Sequence, residues 1–252
     1  MNTSSHSWRV RGASTIAALL APLFPLGILS QLTASVVNVV GNVNSIAYPE
    51  TVTPEDITEE YHTGRVNILL VPGHDEVSPG AVFGSVRESD INLTMARYLS
   101  ERFFADEHFE VATTRDLSTG DYIPSFVFDE EAQQRIVRWR ETLKSIFSFR
   151  ERQGLLTRAS VVAHNNASER VSTILYGINE WANEHDIDVV LHIHFNDYAS
   201  RKGTRVGKYS GFSIYVPDTV LPNARASRAL AESMYARLSE RFPSSDLPKE
   251  DI

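Results

Sequence analysis

The chain has 252 residues, no cysteine and a formal net charge of −8 at pH 7. A hydrophobic share of 42% and an aromatic share of 10% exclude a disordered chain and allow one sizeable core. The charge balance argues against nucleic acid as a partner, because phosphate needs a clustered basic surface. The lack of cysteine removes disulfides, thiolate nucleophiles and Cys-type zinc sites, so any metal must be held by His, carboxylate and water.

The first eleven residues are polar and carry Arg9 and Arg11, and no charged residue then occurs from Gly12 to Pro49. The apolar run 13–32 (ASTIAALLAPLFPLGILSQL) after a basic start predicts an export signal. Two outcomes stay open for residues 1–37. Cleavage near Thr33-Ala34-Ser35 would release the mature protein, whereas retention would leave a membrane anchor. Either outcome places the protein outside the cytoplasm, in the periplasm or cell envelope. Residues 38–64 are low in charge until Glu55-Asp56 and Glu59-Glu60 and are expected to be a linker, with the folded domain over 65–252.

From there strands and helices alternate. The run 66–71 (VNILLV) predicts a short buried strand. Over 90–104, Ile91, Met95, Leu99 and Phe103 recur at four-residue steps, one face of a helix, with Ser89 or Asp90 as its cap. A strand is expected over 109–114 and a long charged helix over 129–149. A helix over 169–185 and a strand over 187–194 follow, then a strand over 211–216 (GFSIYV) and a helix over 223–242. Helices between buried strands imply a layered α/β fold.

The chemistry-bearing residues gather at strand ends. The first strand ends in Pro72-Gly73-His74-Asp75, and the later one in His192-Ile193-His194-Phe195-Asn196-Asp197. In open α/β sheets the C-terminal edge of the strands is where ligands bind. Two imidazoles delivered there from separate strands point to a metal site, and Glu88, at the start of the following helix, is the candidate third ligand. Three protein ligands with one open position is the pattern of a hydrolytic zinc centre, and such a metal suits amide hydrolysis. Taken singly each residue has a plainer role: a hydrogen-bonded loop histidine, or a glutamate complementing a helix dipole.

These motifs resemble the zinc-dependent N-acetylmuramoyl-L-alanine amidases of bacterial cell-wall turnover. Val71-Pro72-Gly73-His74 is similar to that family's PGHGG, and Arg87-Glu88-Ser89-Asp90-Ile91-Asn92-Leu93 to its E-K-D-x-N-L. His192-Ile193-His194-Phe195-Asn196 is similar to S-I-H-A-N, and Thr114-Arg115-Asp116 to T-R-D. Gly211-Phe212-Ser213-Ile214-Tyr215 and Ser227-Arg228-Ala229-Leu230-Ala231 are similar to a later strand and helix of the family. The resemblance implies one zinc per chain, held by His74, Glu88 and His194. It also implies a mostly parallel sheet flanked by helices, and peptidoglycan as substrate, cut at the amide between N-acetylmuramic acid and L-alanine.

The chain departs from the pattern at several places. Asp75 stands where the family usually has Gly, and an acidic residue there would either hydrogen-bond a ligand or repel an anionic substrate. His192 stands where Ser is common and is expected to be a neutral, buried neighbour of His194. Asn196 is expected to hold the strand-end loop, with a direct substrate role as the alternative, and Asp197 either to orient His194 or to be a solvated loop carboxylate. The segment 117–165 is longer than a minimal member needs. The family carries its catalytic glutamate on a final strand, and the residues 243–252 (PSSDLPKEDI) hold no such strand. The catalytic base is therefore expected beyond Ile252. Two alternatives stay open: a non-catalytic peptidoglycan-binding or regulatory domain that retains the metal, and a zinc carboxypeptidase-like peptidase.

Overall fold

The computed structural model describes residues 52–154, 167–195, 205, 207–217, 221 and 223–247. The expected export segment, residues 155–166 of the long segment, Asn196 and Asp197 lie outside the described residues. Among the described residues no helix is long and apolar enough to cross a membrane.

At the centre is strand β1 (Val66–Pro72), buried along nearly its whole length. It pairs in parallel on one side with β4 (Phe109–Thr113) and on the other with β5 (Val189–Ile193). Helix α1 (Pro54–Thr63) precedes β1. A small antiparallel hairpin, β2 (Val82–Phe83) with β3 (Val86–Arg87), separates β1 from helix α2 (Glu88–Phe104). After β4 come a short 3-10 turn at Pro124–Phe126 and helix α3 (Glu130–Arg152). Helix α4 (Glu169–Glu184) leads into β5, and α5 (Ala224–Ser239) follows. The α/β class read from the sequence is the fold observed.

Alternation along β1 divides the core into two layers, because successive side chains leave opposite faces of a strand. Leu69 and Val71 face Phe126, Ile178 and Ala182, with Trp181 and Phe128 packed around them. Val66, Ile68 and Leu70 face Ile57 and Tyr61 of α1 and Leu99 and Phe103 of α2. A central strand apolar on both faces is what a parallel sheet covered on both sides requires.

Four local expectations are revised. Within the stretch expected as linker, Pro54–Thr63 forms α1, closed by a reciprocal capping box between Thr53 and Asp56. Neither Ser89 nor Asp90 caps α2. Arg87 holds the cap position without a side-chain bond, and the free N–H groups of Glu88 and Ser89 instead donate to the carbonyls of Ala81 and Pro79. The buried side of α2 comprises Glu88, Ser89, Asn92, Ala96 and Ser100, while Met95 is exposed. Leu99 and Phe103 of the expected stripe do pack against β1, and the small and polar side chains beside them are buried toward the sheet and the site. Finally, the run expected as a strand over 211–216 forms only an isolated bridge between Phe212 and Ser244. The Phe212 N–H donates to Pro243 and its carbonyl accepts from Ser245, so these groups are taken by the chain after α5 and not by the sheet.

Phe126 is 2% exposed and packs its ring 4.9 Å from that of Trp181. Phe126→Ala leaves a cavity under the α4 layer and is expected to lower unfolding stability by about 3–5 kcal/mol, read from urea denaturation. A loss well under about 1 kcal/mol would show that this layer is not part of the cooperative core.

Candidate metal centre

The parallel pairing sets the site. Pro72 is in register with Ile193, so both chains leave the sheet at the same level, and the Gly73 N–H donates to the Ile193 carbonyl at 2.9 Å. His74 and His194 therefore emerge side by side, with ring centroids 5.0 Å apart and planes nearly perpendicular at 83°. The hairpin between β1 and α2 folds back to place Glu88, the first residue of α2, beneath them. One donor atom from each of His74, Glu88 and His194 lies within 4.8 Å of the others. The three residues singled out in the sequence are thus brought together.

Glu88 is the buried floor of this cluster. Its side chain is 3% exposed, against 28% for His74 and 40% for His194. Its Oε1 lies 3.2 Å from His74 Nε2 and 3.1 Å from His194 Nδ1, and accepts the Phe195 N–H at 3.0 Å. Its Oε2 accepts the Ala81 N–H at 2.9 Å. Burial alone would raise its pKa, but the hydrogen bonds from His194, His74 and Ala81 outweigh burial and hold the carboxyl well below its ordinary value. The Glu88 contact raises the His74 pKa, with burial opposing it.

The hydrogen-bond network assigns the tautomer of His74. Its Nδ1 lies 3.1 Å from the Ser78 carbonyl, which only accepts, so Nδ1 carries the proton and donates. In the neutral ring, Nε2 and Glu88 Oε1 then face each other as two acceptors. A proton or a cation must lie between them. Two atoms bound to one tetrahedral zinc at about 2.0–2.1 Å lie about 3.3 Å apart, which matches the 3.1 and 3.2 Å spacings from the two imidazoles to Glu88. A two-imidazole, one-carboxylate set is also a suitable donor chemistry. On spacing, donor type and the facing pair of acceptors, the residues fit a zinc ion.

The turn that carries His74 is held on every side. His74 itself has φ 65, a left-handed conformation uncommon for a residue with a side chain. The buried Asn92 amide donates to the Gly73 carbonyl at 2.8 Å. The buried Arg115 guanidinium donates to the His74 carbonyl at 2.9 Å and to the Gly120 carbonyl at 2.6 Å. A Cβ on Gly73 would overlap the His194 ring, and one on Gly80, whose φ is +74, would come 2.5 Å from Glu88 Oε2. These two glycines allow the backbone to approach the ligand side chains.

Asp75 is placed beside the cluster but bonds neither imidazole. It accepts the Ser78 N–H at 2.7 Å and forms an ion pair with Arg170 of α4 at 2.6 Å. Burial would raise its pKa, yet Arg170 and the Ser78 N–H keep it below the ordinary range. His192 is not part of the cluster. It is exposed on β5, contrary to the expectation of burial. Crowding by surrounding protein atoms nevertheless pushes its imidazole down to about 4, with the nearby His194 adding to the effect, so it is neutral at pH 7. Glu76 is exposed. Asn196 and Asp197 are outside the described residues, so their expected roles stay with the sequence. Asn92 and Arg115 belong to the sequence motifs, but the sequence gives them no role. Arg170 had no signal at all.

The fold and the cluster define an α/β domain with a His–Glu–His metal centre candidate at the C-terminal edge of its parallel strands. Residues 68–250 match the family model described as N-acetylmuramoyl-L-alanine amidase, and the chain belongs to that family. A solved structure, the CwlD amidase from Clostridioides difficile in complex with the GerS lipoprotein, is similar with 17% identity and a TM-score of 0.34, over 75% of this chain and 78% of that one. Among curated proteins none matches the chain.

The depressed Glu88 pKa has a signed consequence in metal-free protein. A carboxyl lowered on folding contributes stability that is fully present above its unfolded value, ordinarily 4.5, and is lost as pH falls below it. Glu88→Gln removes that dependence. Its urea midpoint is expected to fall less than that of the wild type between about pH 5 and about pH 3. Parallel profiles would show that the carboxylate is not held by the two imidazoles.

Proposed function

We propose that the protein is a zinc-dependent N-acetylmuramoyl-L-alanine amidase, exported to the cell envelope, that hydrolyses the amide between N-acetylmuramic acid and L-alanine of peptidoglycan. One zinc would be held by His74, Glu88 and His194. The observation that carries this reading is the pair of facing acceptors, His74 Nε2 and Glu88 Oε1 at 3.2 Å, within a chain of the amidase family. When bound, zinc would supply Lewis acidity, bringing the pKa of water toward about 7 and polarising the scissile carbonyl.

The chain's own residues account for the rest of the arrangement. Glu88, fixed through both oxygens by the Ala81 and Phe195 N–H groups, keeps a negative charge at the floor of the site. That charge offsets the cation, and its own hydrogen bonds hold its position. The Ser78 carbonyl holds the His74 proton on Nδ1 and so keeps Nε2 free for the metal. The two imidazoles open to solvent while the carboxylate does not, so substrate reaches the site from the histidine side. Val77 and the hairpin residues Val82, Phe83 and Val86 are exposed along the loop that joins two of the three candidate ligands.

The test is product analysis by mass spectrometry on a defined muropeptide, with and without a zinc chelator. Release of a free muramyl sugar and an intact stem peptide beginning with L-alanine, abolished by chelation and restored by zinc, is the expected result. Release of a free amino acid would establish a peptidase instead. Binding of the muropeptide by zinc-loaded protein without cleavage would establish a binding domain.

A further inference from the structure

We propose that Arg170 is a positioning residue for the metal centre, acting through Asp75 and Ser78 to fix the His74 imidazole; this rests on the zinc reading above. Arg170 is the second residue of α4 and lies 95 positions from Asp75 in sequence. Its Nη2 meets Asp75 Oδ2 at 2.6 Å. The other oxygen of that carboxylate accepts the Ser78 N–H at 2.7 Å. The Ser78 carbonyl in turn accepts the Asp75 N–H at 3.2 Å and the His74 Nδ1–H at 3.1 Å. One residue, Ser78, is therefore gripped by Asp75 through both of its backbone groups, and that grip presents the carbonyl which orients His74.

The ion pair is what makes this use of Asp75 sustainable. Asp75 is 7% exposed and adjoins a site whose floor is already the Glu88 carboxylate. A second buried negative charge left without a partner is strongly disfavoured by its loss of hydration. The guanidinium compensates it directly, through a charge-assisted hydrogen bond. Arg170 itself stands on a fixed base. The preceding residue, Glu169, pairs with the buried Arg140 of α3 at 2.8 Å, and Ser168 caps α4 by accepting the Val171 N–H at 3.3 Å. The first turn of α4 thus ties the long segment after β4 to the orientation of a metal ligand.

The experiment uses the full 252-residue chain with zinc alone, by chelator competition, and with cobalt as a spectroscopic substitute whose d–d bands report ligand geometry. Arg170→Met is expected to weaken zinc binding by about 10–100-fold and to shift the cobalt bands, while Arg170→Lys recovers much of the affinity. Asp75→Asn breaks the ion pair but keeps an acceptor for the Ser78 N–H. It is expected to change both readouts in the same direction, and it decides the matter if Arg170→Met does not fold. The double variant Arg170→Met/Asp75→Asn is expected to lose no more than the larger single loss, because both residues act on one path. Unchanged zinc affinity and cobalt spectrum in Arg170→Met, or single losses that add, would overturn the inference. Wild-type chain that takes up zinc beside an unaltered variant overturns this inference alone; wild-type chain that takes up none overturns the proposed function with it.

Discussion

Burying the Glu88 carboxylate at the head of α2 obliges the chain to surround one negative charge with donors and a cation, and much of the local structure follows from that obligation. The Ala81 and Phe195 N–H groups take one oxygen each. Two imidazoles converge on the oxygen that Phe195 also touches. Since each imidazole leaves the sheet from a different strand, the parallel register of β1 with β5 is a condition of the site, not just of the core. An unpaired buried carboxylate would instead neutralise by taking a proton, which the opposite direction of its pKa shift argues against.

Holding His74, Glu88 and His194 at these distances constrains the backbone as well. His74 sits at positive φ, a conformation that persists only where the surroundings over-determine it. Here Asn92, Arg115 and Ser78 each fix one group of the turn. Gly73 and Gly80 leave room that any Cβ would fill. Such a turn is pre-organised: little reorganisation is needed for a metal to enter, which is how a supporting shell of hydrogen bonds raises metal affinity.

The elements read best from sequence were those whose burial is two-sided. β1 is buried along nearly its whole length because helices cover both faces of the sheet, and the histidines that follow β1 and β5 marked the site. The α2 stripe holds at Leu99 and Phe103, which pack on the core, and fails at Met95, which is exposed, because Glu88, Asn92 and Ser100 compete for the buried side. The polar residues win the buried side because each of Glu88 and Asn92 has a fixed partner across the turn. The 211–216 run has strand-forming residues, but strand formation depends on a neighbour, and its neighbour is the segment after α5. Asp75 was visible as a departure from the family pattern, while Arg170 was not. A pairing over 95 residues leaves no local spacing to read, and a basic residue in the first turn of a helix runs against the usual dipole preference.

The proposed function requires a metal shared by His74, Glu88 and His194. The most direct measurement is zinc content per chain of the purified 252-residue chain, beside His194→Ala, each checked for folding by circular dichroism. About one zinc per folded chain, lost from the folded variant, is the result expected. Folded wild-type protein that holds no zinc under saturating metal, or a His194→Ala variant that holds as much as wild type, would contradict it.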